Sequence, residues 1–310
     1  MIGGLICSAL LLFVACSPSS ESYEPQEFQA ISLLGDSLKI PQRTPEQEDR
    51  LRKNLEEARL RFEEDPSEMN TIWYGRRLAY LSDYQKAIEV FSKGLEAYPD
   101  SYKLYRHRGH RYISLREFDK AIADFERAYE LMPKDQLEIE PDGIPNRINQ
   151  PLSNTQFNIL YHYALAYYLK GDFERAEDIY IELIQNYCDN PDLVVATADW
   201  LYMTLRRQGK DAEAAEVLSL IVPRMEIIEN DSYMKRLMMY KGELEMSELF
   251  KTDNDDVALS LATQGYGVAN WYLYNGDTAR AEEIFQEVLS GTSWAAFGYI
   301  AAEADMARLD

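Results

Sequence analysis

One 34-residue pattern is written twice, in register, between residues 68 and 133. Adding 34 to a residue number pairs Gly75 with Gly109, Leu78 with Tyr112, Tyr84 with Phe118, Ala87 with Ala121, Phe91 with Phe125, Gly94 with Ala128 and Pro99 with Pro133. The small residues let two helices approach closely, and the prolines end the second helix because proline cannot continue it. The chain is therefore expected to be an array of helix pairs, each packed on its neighbours.

The second copy runs through Tyr105, Gly109, Tyr112, Ala121, Phe125 and Pro133. This run resembles the tetratricopeptide repeat (TPR) signature, in which two antiparallel helices form each unit. The resemblance implies an all-α fold, a right-handed α-solenoid of helix pairs with a concave inner groove.

Looser copies of the pattern continue along the chain. We expect a solenoid over residues 44–310, with repeats near 68–101, 102–133, 157–190, 195–227 and 258–291 and capping helices at 45–65 and 292–308. Gly209 and Gly276 are 67 residues apart, close to twice the period, so a degenerate repeat is predicted at 228–256. Turn residues fill an insertion at 134–156. Such a long loop indicates either a functional segment or a plain surface excursion.

The N-terminal segment has the character of a leader. Its first 15 residues are apolar or small and too short to span a bilayer comfortably. Phe13-Val14-Ala15-Cys16 resembles the lipobox of bacterial lipoproteins, which implies that Cys16 carries lipid such as palmitate and begins the mature chain. Ser17 implies sorting to the outer membrane, facing the periplasm. A flexible tether is expected over residues 16–43. A plain signal peptide with a fortuitous cysteine is the alternative.

Composition limits the partners. The net charge of −21 and pI near 4.6 argue against nucleic acid, whose phosphates need a positive surface. An anionic membrane would also repel the chain, so contact with a membrane is expected only through the lipid anchor. Three cysteines give no disulfide framework, since Cys7 lies in the leader and Cys188 is left unpaired.

No catalytic template is present in the sequence. It lacks G-x-S-x-G, H-E-x-x-H, C-x-x-C and the phosphate-binding G-x-x-x-x-G-K. His107 and His110 lie one helical turn apart, but their arginine neighbours oppose a divalent cation, so no metal site is expected. We therefore predict no catalytic residues, no cofactor and no enzymatic activity.

The TPR resemblance assigns certain first-helix positions to the concave groove. Their residues combine arginine, histidine and large aromatic rings on one face of an acidic chain, which is typical of a recognition surface. Mutual stacking of the same side chains inside a filled superhelix is the alternative. The predicted groove residues are Trp73, Arg76, Tyr80, Lys103, Arg106, His107, His110, Asn158, Tyr161, His162, Trp200, Arg206, Tyr266 and Asn270, with Tyr168, Asp199 and Met203 on the same face.

The sequence thus favours a cell-envelope adaptor that binds a protein or peptide partner, expected to bear carboxylates, in this groove. A lipoprotein that binds a small anionic ligand or a glycan is the second hypothesis. An enzyme built on the three histidines is the third and weakest.

Overall fold

The computed structural model describes residues 28–250 and 257–309, and these confirm the predicted all-α, TPR-type solenoid. The strands are β1 (Phe28–Ile31) and β2 (Ser37–Lys39). The helices are α1 (Pro45–Glu64), α2 (Glu68–Tyr80), α3 (Tyr84–Ala97), α4 (Tyr102–Ser114), α5 (Phe118–Leu131), α6 (Thr155–Lys170), α7 (Phe173–Asn186), α8 (Pro191–Arg207), α9 (Asp211–Ser219), α10 (Asp231–Tyr240), α11 (Val257–Ser260), α12 (Tyr266–Tyr274), α13 (Thr278–Leu289) and α14 (Phe297–Leu309). A 3₁₀ turn spans Met246–Phe250, and a π-helical segment, Leu261–Gly265, joins α11 to α12.

The turns within the helix pairs follow one local rule. An aspartate caps α3, α7 and α13, where Asp83, Asp172 and Asp277 accept a hydrogen bond from a backbone N–H of the first helical turn. The residue before this N-cap has a left-handed backbone in several repeats. Glycine supplies it at Gly171, at φ 82°, whereas Ser82 adopts it at φ 63°.

The glycines that recur at the 34-residue period allow close contact between the two helices of each pair. A Cβ atom placed on Gly75 would lie 2.3 Å from a ring carbon of Phe91, and one placed on Gly109 would lie 3.0 Å from the ring of Phe125. Both phenylalanines are fully buried. The two copies therefore use the same contact, but α2 and α3 are packed more tightly than α4 and α5.

This difference makes the two copies controls for each other. Gly75→Ala is expected to lower the free energy of unfolding by about 1–3 kcal/mol, because the Phe91 ring must move within a packed core. Gly109→Ala is expected to be close to neutral, since the gain in helix propensity of about 1 kcal/mol offsets the tighter contact. Urea denaturation of both variants measures the difference. Equal losses in the two variants would show that the shared period, and not the local packing, sets the effect.

The structure differs from the predicted tether at residues 28–39. Here β1 and β2 form an antiparallel hairpin that packs on the solenoid. Leu38 is buried in one cluster with Leu55 of α1 and Trp294, and Gln29 accepts two hydrogen bonds from Gln85 of α3. The polar run at residues 17–22 suggested a flexible tether that extends to residue 43, but within 28–39 the side chains of Gln29, Ser32 and Leu38 are buried.

The segment predicted as a degenerate repeat covers residues 228–256. Its first helix is α10, which packs on α8, and a 3₁₀ turn follows where a regular second helix would begin. Residues 251–256 of that repeat lie outside the described residues, as do the predicted leader and Cys16. Among the described helices, none is both long enough and apolar enough to cross a membrane.

Candidate functional site

The predicted groove residues lie on the first helices of successive pairs, α2, α4, α6, α8 and α12. The structure divides them into a buried and a partly accessible set. The buried set is Arg106, His107, Asn158, Tyr161, His162, Trp200, Tyr266 and Asn270. The half-buried set is Trp73, Arg76, Tyr80, Lys103, His110 and Arg206. The open groove that the sequence predicted is therefore largely filled.

The last helix does most of the filling. The sequence placed it as a cap over the final repeat, and α14 does pack on α13, but it also reaches α6 and α12 on the inner face. The Phe297 ring lies 5.3 Å from that of His162 and 5.4 Å from that of His110, measured between centroids. An apolar helix thus takes the space that a ligand would need in the middle of the array.

The C-terminal groove residues form a core network. The Tyr168 and Tyr266 hydroxyls share a hydrogen bond of 2.5 Å, and Tyr266 also donates to the Asp305 carboxylate of α14 at 3.0 Å. Asn270 donates to the Tyr168 hydroxyl at 2.9 Å, and the ring of Trp200 stacks on that of Tyr266. This is the mutual stacking that the sequence left open as an alternative, and a partner reaches these side chains only if α14 leaves.

Three other predicted groove residues also have hydrogen-bond partners within the chain. Asn158 donates to the Ser153 hydroxyl at 3.0 Å, and the hydroxyls of Tyr161 and Tyr233 are 3.0 Å apart. Arg206 forms an ion pair of 2.8 Å with Asp211 and donates to the Tyr202 hydroxyl.

The three histidines lie on α4 and α6, and two of them are in ring contact. The rings of His110 and His162 are 4.3 Å apart, and the His107 ring stacks on Phe91 at 5.8 Å. Burial, together with nearby Arg106 and Arg111, holds the pKa of each of the three imidazoles well below its usual range, so all three are neutral at neutral pH. The described part of the chain contains no cluster of three or more metal-ligating side chains.

One part of the concave face is only partly buried, and we call it the entrance surface: Trp73, Arg76, Tyr80 and Lys103, on α2 and α4. The Arg76 guanidinium lies 4.4 Å from the centre of the Trp73 ring and donates to the Tyr80 hydroxyl at 3.2 Å. These contacts hold a positive charge against aromatic rings at the surface.

The insertion lies across this surface, a role that the sequence did not reveal. Its residues 138–142, which we call the acidic strap, run antiparallel to the segment before α6, with Thr155 N–H donating to the Glu138 carbonyl at 2.7 Å. Glu138 pairs with Lys103, Glu140 pairs with Arg106 at 3.0 Å, and Arg76 donates to the Pro141 carbonyl at 2.8 Å. In the sequence, the only sign of this role was the alternation of the acidic residues Glu138 and Glu140.

Glycine lets the chain beyond the strap cross the entrance surface closely. A Cβ atom on Gly143 would lie 1.6 Å from the Tyr80 hydroxyl, so no other residue fits there without movement. The Gly143 carbonyl also accepts a hydrogen bond from Arg77 at 3.4 Å. The insertion is therefore built to lie on α2.

Two small cavities remain between the strap and the helices. One of about 80 Å³ lies among Met69, Lys103, Ile139 and Thr155, and another of about 160 Å³ lies deeper, among arginines and histidines of α2 and α4. Arg111 lines the deeper cavity and was not predicted from the sequence. Burial, and then the charges of Arg106 and Arg76, lower its pKa to about 10 although Tyr84 opposes the shift.

Comparisons with known proteins agree with the helix pairs. The family model described as tetratricopeptide repeat matches residues 102–135, and a second model of that description matches residues 159–187. No curated protein matches the sequence.

Two solved structures resemble the chain at low identity. YrrB, a TPR protein with an unusual peptide-binding site, is 14% identical, with 75% of this chain and 91% of that chain covered and a TM-score of 0.41. A tetratricopeptide repeat protein from Parabacteroides merdae is 13% identical, with 81% and 92% covered and a TM-score of 0.46. The two matches, with the antiparallel helix pairs that these residues form, show that the chain contains tetratricopeptide repeats.

Proposed function

We propose that this protein is a non-catalytic interaction scaffold that binds an extended, carboxylate-bearing peptide segment of a partner protein at the entrance surface. The observation that carries the proposal is the acidic strap. It is an extended segment of this same chain whose carboxylates and carbonyl already bind Lys103, Arg106 and Arg76. A segment of a partner with similar chemistry would make the same contacts.

The chemistry of the surface favours such a segment. Guanidinium groups bind carboxylates and carbonyls through several N–H donors, and Trp73 and Tyr80 add apolar area at low entropy cost. The negative charge of the chain as a whole does not prevent this, because salt screens charges more than about 8 Å away. Recognition therefore depends on the local positive charge of α2 and α4.

The strap would compete with the partner. Glu138 is partly exposed and pairs with Lys103 at the rim, whereas Glu140 is buried against Arg106. A partner would first replace the contacts of Glu138 and Pro141, and its affinity would fall in proportion to the fraction of time that the strap is closed.

The location is a separate proposal, which rests on the leader sequence. We place the scaffold in a bacterial cell envelope, held at the outer membrane by lipid on Cys16. The interaction surface would then face the periplasm at the end of a short linker that precedes the hairpin.

Peptide binding tests the proposal. The probe is a fluorescent peptide with the sequence of residues 136–142, Gln-Leu-Glu-Ile-Glu-Pro-Asp, titrated with the full-length protein and followed by anisotropy. Glu138→Gln should tighten binding by loosening the resident strap. Arg76→Glu combined with Lys103→Glu should weaken binding about tenfold or more, since each lost charged hydrogen bond contributes about 1.5–3 kcal/mol.

A matched control separates local contacts from total charge. Lys93→Glu reverses an exposed charge on α3, away from the concave face, and should leave peptide binding unchanged. Equal binding to the Arg76→Glu, Lys103→Glu protein and to the Lys93→Glu protein would refute the entrance surface as the binding site.

A further inference from the structure

The deeper cavity beneath the strap has an unusual charge balance. It has a volume of about 160 Å³ and lies between α2, α4 and the strap. Its charged and titratable lining residues are Arg76, Arg106, Arg111, His107, His110 and Glu140. Three guanidinium groups thus face one carboxylate, and because both histidines are neutral the cavity carries an excess of two positive charges.

Arg111 accounts for much of this excess. Its guanidinium lies 5.2 Å from the centre of the Tyr84 ring, but it makes no ion pair or side-chain hydrogen bond with any residue in the described ranges. Arg76 bonds only to a carbonyl and a phenol, while Glu140 is held by Arg106 at 3.0 Å. Arg111 is only partly buried, so what favours an anion is the local excess of positive charge from three guanidinium groups against one carboxylate.

Polar atoms without partners define what kind of anion fits. Arg106 Nε, His110 Nδ1 and Glu140 Oε2 are all buried and have no hydrogen-bond partner. Arg106 and Glu140 are themselves more than nine-tenths buried. Arg106 Nε can only donate, whereas an ionised Glu140 Oε2 can only accept. A ligand that satisfies both must offer acceptor oxygens and a hydrogen of its own.

We propose that this cavity binds a small oxyanion that carries its own hydroxyl hydrogen, as hydrogen phosphate does. Arg111 and Arg106 donate to its oxygens, and Glu140 accepts the hydrogen bond from its hydroxyl. His110 takes whichever tautomer pairs with the remaining oxygen. This site does not rest on the proposed peptide binding, because it forms with the strap in its resident position, but it shares Arg76 with the entrance surface and Arg106 and Glu140 with the contacts of the strap.

The small volume favours the free ion over a phosphorylated chain. The strap residue Glu140 lines the cavity, is 8% exposed and is paired to Arg106, so a phosphate monoester would also need room beside the strap for the peptide or lipid attached to it. Free phosphate fits with the strap in place. Phosphate bound in the cavity would offset the positive charge of Arg111 and link the strap to α4.

Sulfate provides a sharp comparison because it has the shape of phosphate but no hydrogen at neutral pH. A sulfate oxygen beside Glu140 Oε2 would place two acceptors against each other, whereas hydrogen phosphate forms a charge-assisted hydrogen bond there. The structure therefore predicts selectivity for phosphate over sulfate, and it assigns that selectivity to Glu140.

Isothermal titration of the full-length protein at neutral pH and constant ionic strength tests the site, with inorganic phosphate and sulfate as the two titrants. Phosphate should bind saturably at one site, and sulfate at least about tenfold more weakly, as expected for one charged hydrogen bond. Arg111→Met should abolish phosphate binding. Arg127→Met, the same change at an exposed arginine of α5, should not alter it.

Glu140→Gln keeps the proposal testable if Arg111→Met fails to fold. The amide can donate to a sulfate oxygen, so this variant should bind the two ions about equally. Phosphate that does not bind saturably to the natural protein would overturn the proposal. Sulfate that binds as tightly as phosphate to the natural protein, or selectivity that survives in the Glu140→Gln variant, would also overturn it.

Discussion

Replacement of Glu303 by alanine is expected to lower the free energy of unfolding by about 3–5 kcal/mol, because it leaves a buried arginine without its partner. Arg116 donates to both carboxylate oxygens of Glu303, at 3.0 Å and 2.7 Å, and both side chains are almost fully buried. Glu303 also accepts a hydrogen bond from the Leu33 N–H at 2.7 Å. One carboxylate of α14 thus holds the turn between α4 and α5 and the β-hairpin.

Chemical denaturation measures the loss, and limited proteolysis reports its location. The residues of the hairpin should become cleavable in Glu303→Ala under conditions in which the natural protein resists. Glu287→Ala removes an exposed carboxylate from the surface of α13 and should change stability by less than about 0.5 kcal/mol. A Glu303→Ala protein as stable as the Glu287→Ala control would contradict the structural role of this ion pair.

Replacement of Arg236 by alanine is expected to have an effect of similar size. Arg236 donates to both oxygens of Asp199, at 3.0 Å for the Nε bond, and the two residues are 1% and 0% exposed. Arg236 also donates to the Thr263 carbonyl in the π-helical segment. Loss of the guanidinium leaves a desolvated carboxylate and an unpaired carbonyl, for which about 3–5 kcal/mol is the expected range.

Two further variants distinguish the effect of the unpaired buried charge from the effect of the lost side-chain volume. The double variant Asp199→Leu, Arg236→Met should be more stable than Arg236→Ala, because it buries no unpaired charge. Lys235→Ala removes the neighbouring cation, whose partner Asp231 is exposed, and should be close to neutral. If the double variant were less stable than Arg236→Ala, packing and not charge would explain the loss.

The repeat pattern predicts the helix pairs well because it records packing between sequence neighbours. The contacts of Gly75 with Phe91 and of Gly109 with Phe125 are set within a single pair, so a local period reveals them. The same holds for Asp83 and Asp172, which cap the helices that follow them. These elements required no knowledge of distant parts of the chain.

The interior could not be read in this way because non-repeated segments fill it. The TPR resemblance assigns Trp200 and Tyr266 to the inner face, but only the fold shows that α14 brings Asp305 to Tyr266. The strap also lies outside the repeat pattern. Its Glu140 is 34 positions after Arg106, but this spacing comes from the length of the insertion and not from the period. Burial on the concave face depends on such long-range contacts, so a repeat template places the residues there without showing whether they are accessible.

The contact between the first and last parts of the described chain has a mechanical consequence. Trp294 packs edge-on against Tyr84 and donates to the Lys39 carbonyl at 2.5 Å, which joins the segment before α14 to the hairpin and the first repeat. Open arrays fray from their terminal repeats, because an end repeat has only one neighbour. In this chain the first repeat and the final helix brace each other. Opening under load should therefore begin at an internal site, near the 3₁₀ turn Met246–Phe250 and the π-helical segment Leu261–Gly265, and the two ends should separate last.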